Sequence, residues 1–297
     1  MIIHNGTCTM NSALLHDVRI AKESGYDGIE ILAPKLDRLM AQGYSIDLVR
    51  RALDGFPAKA LGYVLDIERQ EPAEYKALLE EARLRIDQAA SLGAEFLEVV
   101  TGPLGPGLGD HSGYRGLLGR SRDEITELSA KNLRVLCDMA GERGLRLYLE
   151  PLAWASLSRL DQCLEVIGLT GRENLGMVID FWHLWINGTE ASDIAKLDRR
   201  LINGVHVCDS LPRFPPGAPV LHNRREVWTG GGHIPLQDWI DAINGTGYDG
   251  WYSAEMFAPQ FVERDPFMIA RVLRENLQIM LDAAVPFGSR PLAPRGS

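Results

Sequence analysis

SGYDGIEIL, residues 24–32, ends an apolar-periodic stretch with Ser-Gly and then runs Ile-Glu-Ile-Leu. A glycine just past a helix end supplies the left-handed conformation that other residues resist, and the β-branched residues after it start a strand. The same phrase returns in LGAEFLEVV (92–100), RGLRLYLEP (143–151) and TGYDGWYSAE (246–255). Four further apolar runs, IIHN (2–5), KALGYVL (59–65), LGMVID (175–180) and INGVHV (202–207), bring the strands to eight. Apolar residues recur at i, i+3, i+4 and i+7 between them, most plainly in EYKALLEEARLRIDQAASL (74–92) and RDEITELSAKNLRVLCDMAGE (122–142), which predicts helices there. Eight strand–helix units in about 280 residues predict an α/β fold, a single (β/α)8 TIM barrel. A doubly wound open sheet shares the alternation, but no G-x-G-x-x-G opens the first helix. No low-complexity linker divides the chain, so one barrel is expected over residues 1–287, followed by an irregular tail, GSRPLAPRGS, at 288–297.

The composition narrows the function. With 297 residues, 45% apolar and 24% charged, the chain can bury a substantial core. Cys8, Cys137, Cys163 and Cys208 lie far apart with no C-x-x-C pair, so neither a disulfide framework nor a zinc knuckle is expected. A reducing, cytoplasmic location is the expectation. The MIIHNG start has no basic segment leading into an apolar one, and no stretch reaches the roughly 18 to 20 apolar residues that span a bilayer. Thirty-one basic residues against forty acidic ones leave a net charge of −9, which repels polyanions, so a small molecule is the expected partner rather than nucleic acid or membrane.

In a (β/α)8 barrel the working side chains stand where strands end, at the carboxyl face. Strand five ends in Glu150, strand six in Asp180, strand seven carries His206, and strand eight ends in Glu255. Three hard oxygen ligands and one imidazole suit a divalent ion, Mn²⁺, Mg²⁺, Co²⁺ or Zn²⁺, and leave room for a substrate oxygen. A single strand-end acid is as well explained as a helix cap or an arginine partner. Four consecutive strands presenting such groups favour the metal reading.

The segments LEP (149–151), GMVIDFWH (176–183), HVCD (206–209), VWTGGGHIP (227–235) and SAEMF (253–257) resemble, across nearly the whole chain, the xylose-isomerase-like TIM-barrel sugar isomerase and epimerase superfamily. That superfamily includes inosose isomerases, ketose 3-epimerases, hydroxypyruvate isomerases and 3-dehydroshikimate dehydratases. The resemblance implies that Glu150, Asp180, His206 and Glu255 bind one divalent ion and that His183 reaches the substrate. APKLDRLMAQGYSIDLVRRAL and AKALGYVL (33–65), with the segment from Arg225 to Phe261, look most like inosose isomerases, enzymes of inositol catabolism. DFWHLWINGTE also looks like dehydroshikimate dehydratases. The implied chemistry is proton transfer through a metal-stabilised enediolate of a small keto-polyol, with Glu150 and Glu255 as acid and base. Loss of a β-hydroxyl from the same enolate makes the protein a dehydratase instead. The resemblance also implies a homo-oligomer.

Weaker expectations attach to other residues. Glu30 points into the barrel, to touch substrate or to form a buried hydrogen bond. His4 and Asn5 end strand one, where His4 reads first as a core histidine. Trp154, Trp182, Trp185 and Trp228 fall near strand ends, where one or two aromatic faces would cover a polyol, Trp182 among them. Arg225, beside Arg224, is a substrate-binding candidate, and Asp209 would orient an imidazole or bind a hydroxyl. TGGGH (229–233) carries only a weak phosphate signal, since no fixed lysine or serine accompanies it. An abasic-site endonuclease barrel needs histidines where strands three and four end near Tyr63, Asp66, Glu98 and Thr101, and it needs a basic face. A non-catalytic sugar-binding barrel would tend to lose one of the four ligands, all of which are present here.

Overall fold

The structure, a computed structural model, describes residues 1–102, 116–117, 119–211, 231–257, 261 and 263–289. Eight parallel strands close into one barrel in chain order: β1 (Ile2–Asn5), β2 (Gly28–Leu32), β3 (Ala58–Val64), β4 (Phe96–Val100), β5 (Arg146–Glu150), β6 (Leu175–Asp180), β7 (Ile202–Val207) and β8 (Tyr252–Ala254). The connecting helices include α1 (Leu14–Glu23), α2 (Ala33–Ala41), α3 (Ile46–Leu53), α4 (Pro72–Leu92), α5 (Arg122–Gly141), α6 (Leu160–Thr170), the short α7 (Phe181–Ile186) and α8 (Ala191–Ile194), α9 (Leu236–Gly245) and α10 (Pro266–Asp282). The four glycines of the repeated phrase, Gly25, Gly93, Gly144 and Gly247, all have φ between +72° and +79°, the conformation that ends a helix and turns the chain into the next strand. No helix among the described residues is long and apolar enough to cross a membrane. All four cysteines are buried and free.

The period-2 alternation of the strands divides the molecule into two cores. Outward residues such as Ile29, Leu61, Leu97, Leu147, Met177 and Val205 join the layer packed against the helices. Inward residues form a separate apolar plug of Ile3, Ala60, Tyr148, Val178 and Trp251, with Phe96 against it. Trp251 fits because residue 204 is glycine; a Cβ there would stand 2.1 Å from the indole. His4 belongs to the outward set: its Nε2 bonds Thr9 Oγ1 at 3.1 Å and its ring meets Tyr26 edge-on at 5.2 Å. Burial, with the Lys35 charge behind it, lowers its pKa to about 3, so it is a neutral core histidine.

Above the plug the inward positions turn polar. Register pairs Asn5 with Glu30, Val100 with Glu150, Asp180 with His206, and His206 with Ser253. One ring of inward positions therefore comes from all eight strands or their immediate ends: Asn5, Glu30, Gly62, Glu98, Glu150, Asp180, His206 and Glu255.

Candidate active site

Glu150, Asp180, His183 and Glu255 each offer a ligand atom, and these atoms all lie within 4.8 Å of one another. His206 enters the same cluster: its Nδ1 is 3.4 Å from Glu150 Oε1, 3.8 Å from Glu255 Oε2 and 3.9 Å from Asp180 Oδ2. Two imidazoles thus stand beside three carboxylates, and their hydrogen-bond partners separate them. The Ala153 N–H donates to His183 Nδ1 at 2.9 Å, which puts the proton of a neutral His183 on Nε2, 4.0 Å from Glu150 Oε1. That nitrogen is a donor. His206 is arranged the other way: its Nε2 sits 3.0 Å from Glu30 Oε2, so Nε2–H donates there and Nδ1 faces the three carboxylates, the nitrogen that would ligate an ion once a cation displaces its proton. An imidazole whose far N–H is held by a carboxylate is the usual form of a metal-ligating histidine.

Glu30 is held from three sides. It accepts from His206 Nε2, from Asn5 Nδ2 at 2.8 Å, and from the Tyr148 hydroxyl. Burial acts to raise its pKa, but the His206 charge and these hydrogen bonds outweigh it and hold Glu30 below the ordinary carboxylate value. The opposite balance governs His206: burial disfavours its charged form, yet Glu30, Glu255 and Glu150 hold its pKa well above that of a free imidazole. Glu98 is pushed well upward, first by burial and then by the Glu150 charge. Five carboxylates share this buried ring with one inward imidazole, and such a charge is costly without a cation. The donor set, three carboxylates and one correctly presented imidazole nitrogen, fits a divalent ion.

Asp180 also serves the bland role weighed for strand-end acids. It caps α7, its Oδ1 accepting the His183 N–H at 2.7 Å, while Oδ2 faces His206. The turn after β1, Gly6–Thr9, is braced by buried Lys35, whose Nζ donates to Gly6 O, Thr9 O and Asp17 Oδ2 at 3.0, 2.8 and 2.6 Å. That turn presents Thr7, whose hydroxyl donates to Asn5 Oδ1 at 2.7 Å.

A cavity of about 150 Å³ opens over the ring. Its polar walls are Asn5, Thr7, Glu30, Tyr63, Glu98, Glu150, His183 and Glu255, and Leu152, Trp154 and Phe257 contribute apolar surface. Asp180 and His206, at no more than 1% exposure, lie behind this lining.

Three of the sequence candidates, Trp182, Asp209 and Trp185, stand outside the described cavity lining. Trp182 is fully buried and outside the cavity wall; it packs at 6.2 Å behind Trp154, which takes the wall position and sets its ring 5.0 Å from that of His183. Asp209 is not among the described residues that line the cavity. Its carboxylate accepts the N–H groups of Ser210, Gly232 and Ile234 at 2.8, 2.8 and 3.1 Å and so fastens a loop. The His206 imidazole is oriented by Glu30, through the buried hydrogen bond weighed for it. Trp185 is buried and outside the wall as well. Arg224, Arg225, Trp228 and the start of TGGGH lie outside the described residues.

Sequence reading passed over Glu98, Tyr148 and Thr7. The signal for Glu98 was the one used for Glu30: an acid at the inward parity of an apolar strand, here FLEVV. Tyr148 stands two residues before Glu150 and shares its face.

A closed eight-stranded parallel barrel with this ring at its carboxyl end defines the class. The chain belongs to the xylose isomerase-like TIM barrel family, which matches residues 18–283. It is similar to the inosose isomerase of Halalkalibacterium halodurans, 26% identical over 267 residues that cover 88% of each chain. It is also similar to the 3-dehydroshikimate dehydratase of Pseudomonas aeruginosa, 24% identical over 257 residues that cover 86% of this chain and 38% of that one. Among solved structures, the fold matches a crystal structure of the IolI protein with a bound zinc atom, with TM-score 0.83 and 21% identity, covering 97% of this chain and 99% of that chain.

Proposed function

We propose that the protein is a divalent-metal-dependent isomerase or epimerase of a small keto-polyol of the inosose kind, acting by proton transfer through an enediolate. The observation that carries this reading is His206, with Nε2 taken by Glu30 and Nδ1 within 3.4–3.9 Å of Glu150, Glu255 and Asp180 under an open cavity. Glu150, Asp180, His206 and Glu255 would hold the ion. A bound divalent cation supplies a Lewis acid that polarises a substrate carbonyl and offsets the charge of the enediolate.

The chain's own residues supply the rest. Glu150 ends β5 and Glu255 follows β8, so the two carboxylates reach the cavity from non-adjacent strands and meet different sides of a substrate. One takes a proton from the carbon beside the carbonyl, and the C–H electron pair becomes the enediolate double bond. Return of a proton to the former carbonyl carbon, with the neighbouring hydroxyl proton passing to the former carbonyl oxygen, moves the ketone along the ring. Return to the same carbon from the other face inverts it. His183 Nε2–H donates to the substrate oxygen on which charge builds, and Trp154, packed against His183, covers an apolar face. The likeness to a 3-dehydroshikimate dehydratase favours a second reading, in which the enolate expels a β-hydroxyl.

Proton NMR of the metal-loaded protein with 2-keto-myo-inositol in D₂O, beside a sample with 3-dehydroshikimate, separates the two. Deuterium entering next to the carbonyl with a new ketone regioisomer supports the isomerase, and an olefinic or aromatic product makes the protein a lyase. Glu150→Gln should abolish turnover with an unchanged circular dichroism spectrum; surviving activity would defeat the paired-carboxylate mechanism.

A further inference from the structure

The ligand candidates come from four neighbouring strands, β5 to β8, whereas β1 to β4 bring Asn5, Glu30, Gly62 and Glu98 to the same ring. Asn5 and Glu30 are bonded to each other, and Glu30 is committed to His206 and Tyr148. Gly62 offers no side chain. Glu98 is left as the wall carboxylate that the metal chemistry does not use.

Its placement is specific. Glu98 is 7% exposed and lines the cavity. A Cβ on residue 62 would lie 2.5 Å from Glu98 Oε2, so the carboxyl fills the space that glycine leaves in the β3 stave. Its partners are Glu150 on the adjoining strand, to which it is hydrogen-bonded, and the Tyr148 hydroxyl at 3.4 Å, a long contact from a donor already committed to Glu30; its remaining lone pairs face the cavity. In a closed ring of eight strands β4 stands opposite β8, so Glu98 faces Glu255 across the cavity.

The geometry points to Glu98 as a specificity-determining residue: its carboxyl oxygens bind a hydroxyl on the part of the keto-polyol remote from the reacting carbonyl. This inference rests on the keto-polyol reading above. A polyol carries such a hydroxyl on every ring carbon, and a site built to pair one rejects the analogue lacking it. Losing a hydrogen bond to an ionisable partner in a largely buried site weakens binding about 10- to 100-fold.

The test is isothermal titration calorimetry at saturating Mn²⁺, with 2-keto-myo-inositol and a set of its analogues each lacking one hydroxyl remote from the carbonyl. Wild type, Glu98→Leu and Glu98→Gln are compared, and Mn²⁺ affinity is measured separately for each. The expected result is an about 10- to 100-fold loss of ketose binding in Glu98→Leu. A single deoxy analogue should bind wild type and Glu98→Leu alike, with partial recovery of ketose binding in Glu98→Gln. Unchanged ketose binding in Glu98→Leu, or equal loss for every analogue, overturns the inference while leaving the function standing. Loss of Mn²⁺ affinity without any change in analogue preference also overturns it and assigns Glu98 to holding Glu150. If Glu98→Leu melts too low to titrate, Glu98→Gln must still shift the preference for that one analogue, or the inference fails. A wild-type protein that binds no keto-polyol overturns the functional reading and this inference together.

Discussion

Glu30→Gln is the sharpest test of how the site is built. Three donors converge on this carboxylate: His206 Nε2–H at 3.0 Å, Asn5 Nδ2–H at 2.8 Å and the Tyr148 hydroxyl. A glutamine of the same shape has one acceptor oxygen and an amino group that must face at least one of those donors. With Glu30 at 1% exposure, water cannot replace the lost bond. A hydrogen bond to a charged group contributes about 1.5–3 kcal/mol, and removing the carboxylate behind a ligating histidine typically weakens metal binding about 10- to 100-fold. The two figures agree, since tenfold is about 1.4 kcal/mol. Competition between the protein and a chromophoric chelator for Zn²⁺ or Co²⁺ would measure the loss. Tyr148→Phe, which removes one donor and keeps the carboxylate, should cost less than about tenfold. In the metal-free protein, Glu30→Gln should also lower the His206 pKa, readable by NMR, because Glu30 leads the groups that raise it against burial. Metal affinity within twofold of wild type, with an unmoved His206 titration, would refute the idea that Glu30 selects the nitrogen His206 presents.

His183→Ala should keep metal content near that of wild type while turnover drops about 10²- to 10⁴-fold, the range for a lost general acid–base group; loss of the ion would instead make His183 a ligand. Stripping the ion should lower the melting temperature by about 5 °C, since a ligand at 100 times its Kd stabilises by about 2.7 kcal/mol; no response to Zn²⁺, Mn²⁺, Co²⁺ or Mg²⁺ would contradict the metal site. His4 has a folded pKa of about 3 against an ordinary 6.5, so the unfolded chain binds its proton first as pH falls. Stability should therefore decline from about pH 6.5 downward, by on the order of 3 kcal/mol at pH 4, and the decline should end near pH 3. Urea denaturation across that range should show a flatter slope in His4→Gln, and equal slopes would refute the assignment.

The barrel was legible because its signals are local. Gly25, Gly93, Gly144 and Gly247 announce helix ends within a few residues, and each takes the left-handed conformation that reading requires. The carboxyl-end rule then pointed to Glu150, Asp180, His206 and Glu255, and the strand register brings those side chains together. Which tryptophan meets the cavity was not legible, because helix rotation decides it. Trp154 and Trp182 flank similar strand ends, but α7 turns Trp182 inward behind its neighbour. Asp209 serves N–H groups at Gly232 and Ile234, which are distant in the chain and carry no local signal.

Strand number, order of units, the outward or inward parity of each side chain and the four strand-end donors are properties of the sequence by itself, because helical and strand periodicity and glycine caps act over a few residues. The tertiary structure decided what each donor does. His206 presents Nδ1 because Glu30, 176 positions away, takes Nε2, and His183 is a donor because the Ala153 N–H occupies its other nitrogen. Glu98 reaches the cavity because Gly62 on the next strand leaves it room. Hydrogen-bond partnership and steric vacancy across a closed ring depend on which residues barrel closure brings face to face, and no local pattern encodes that.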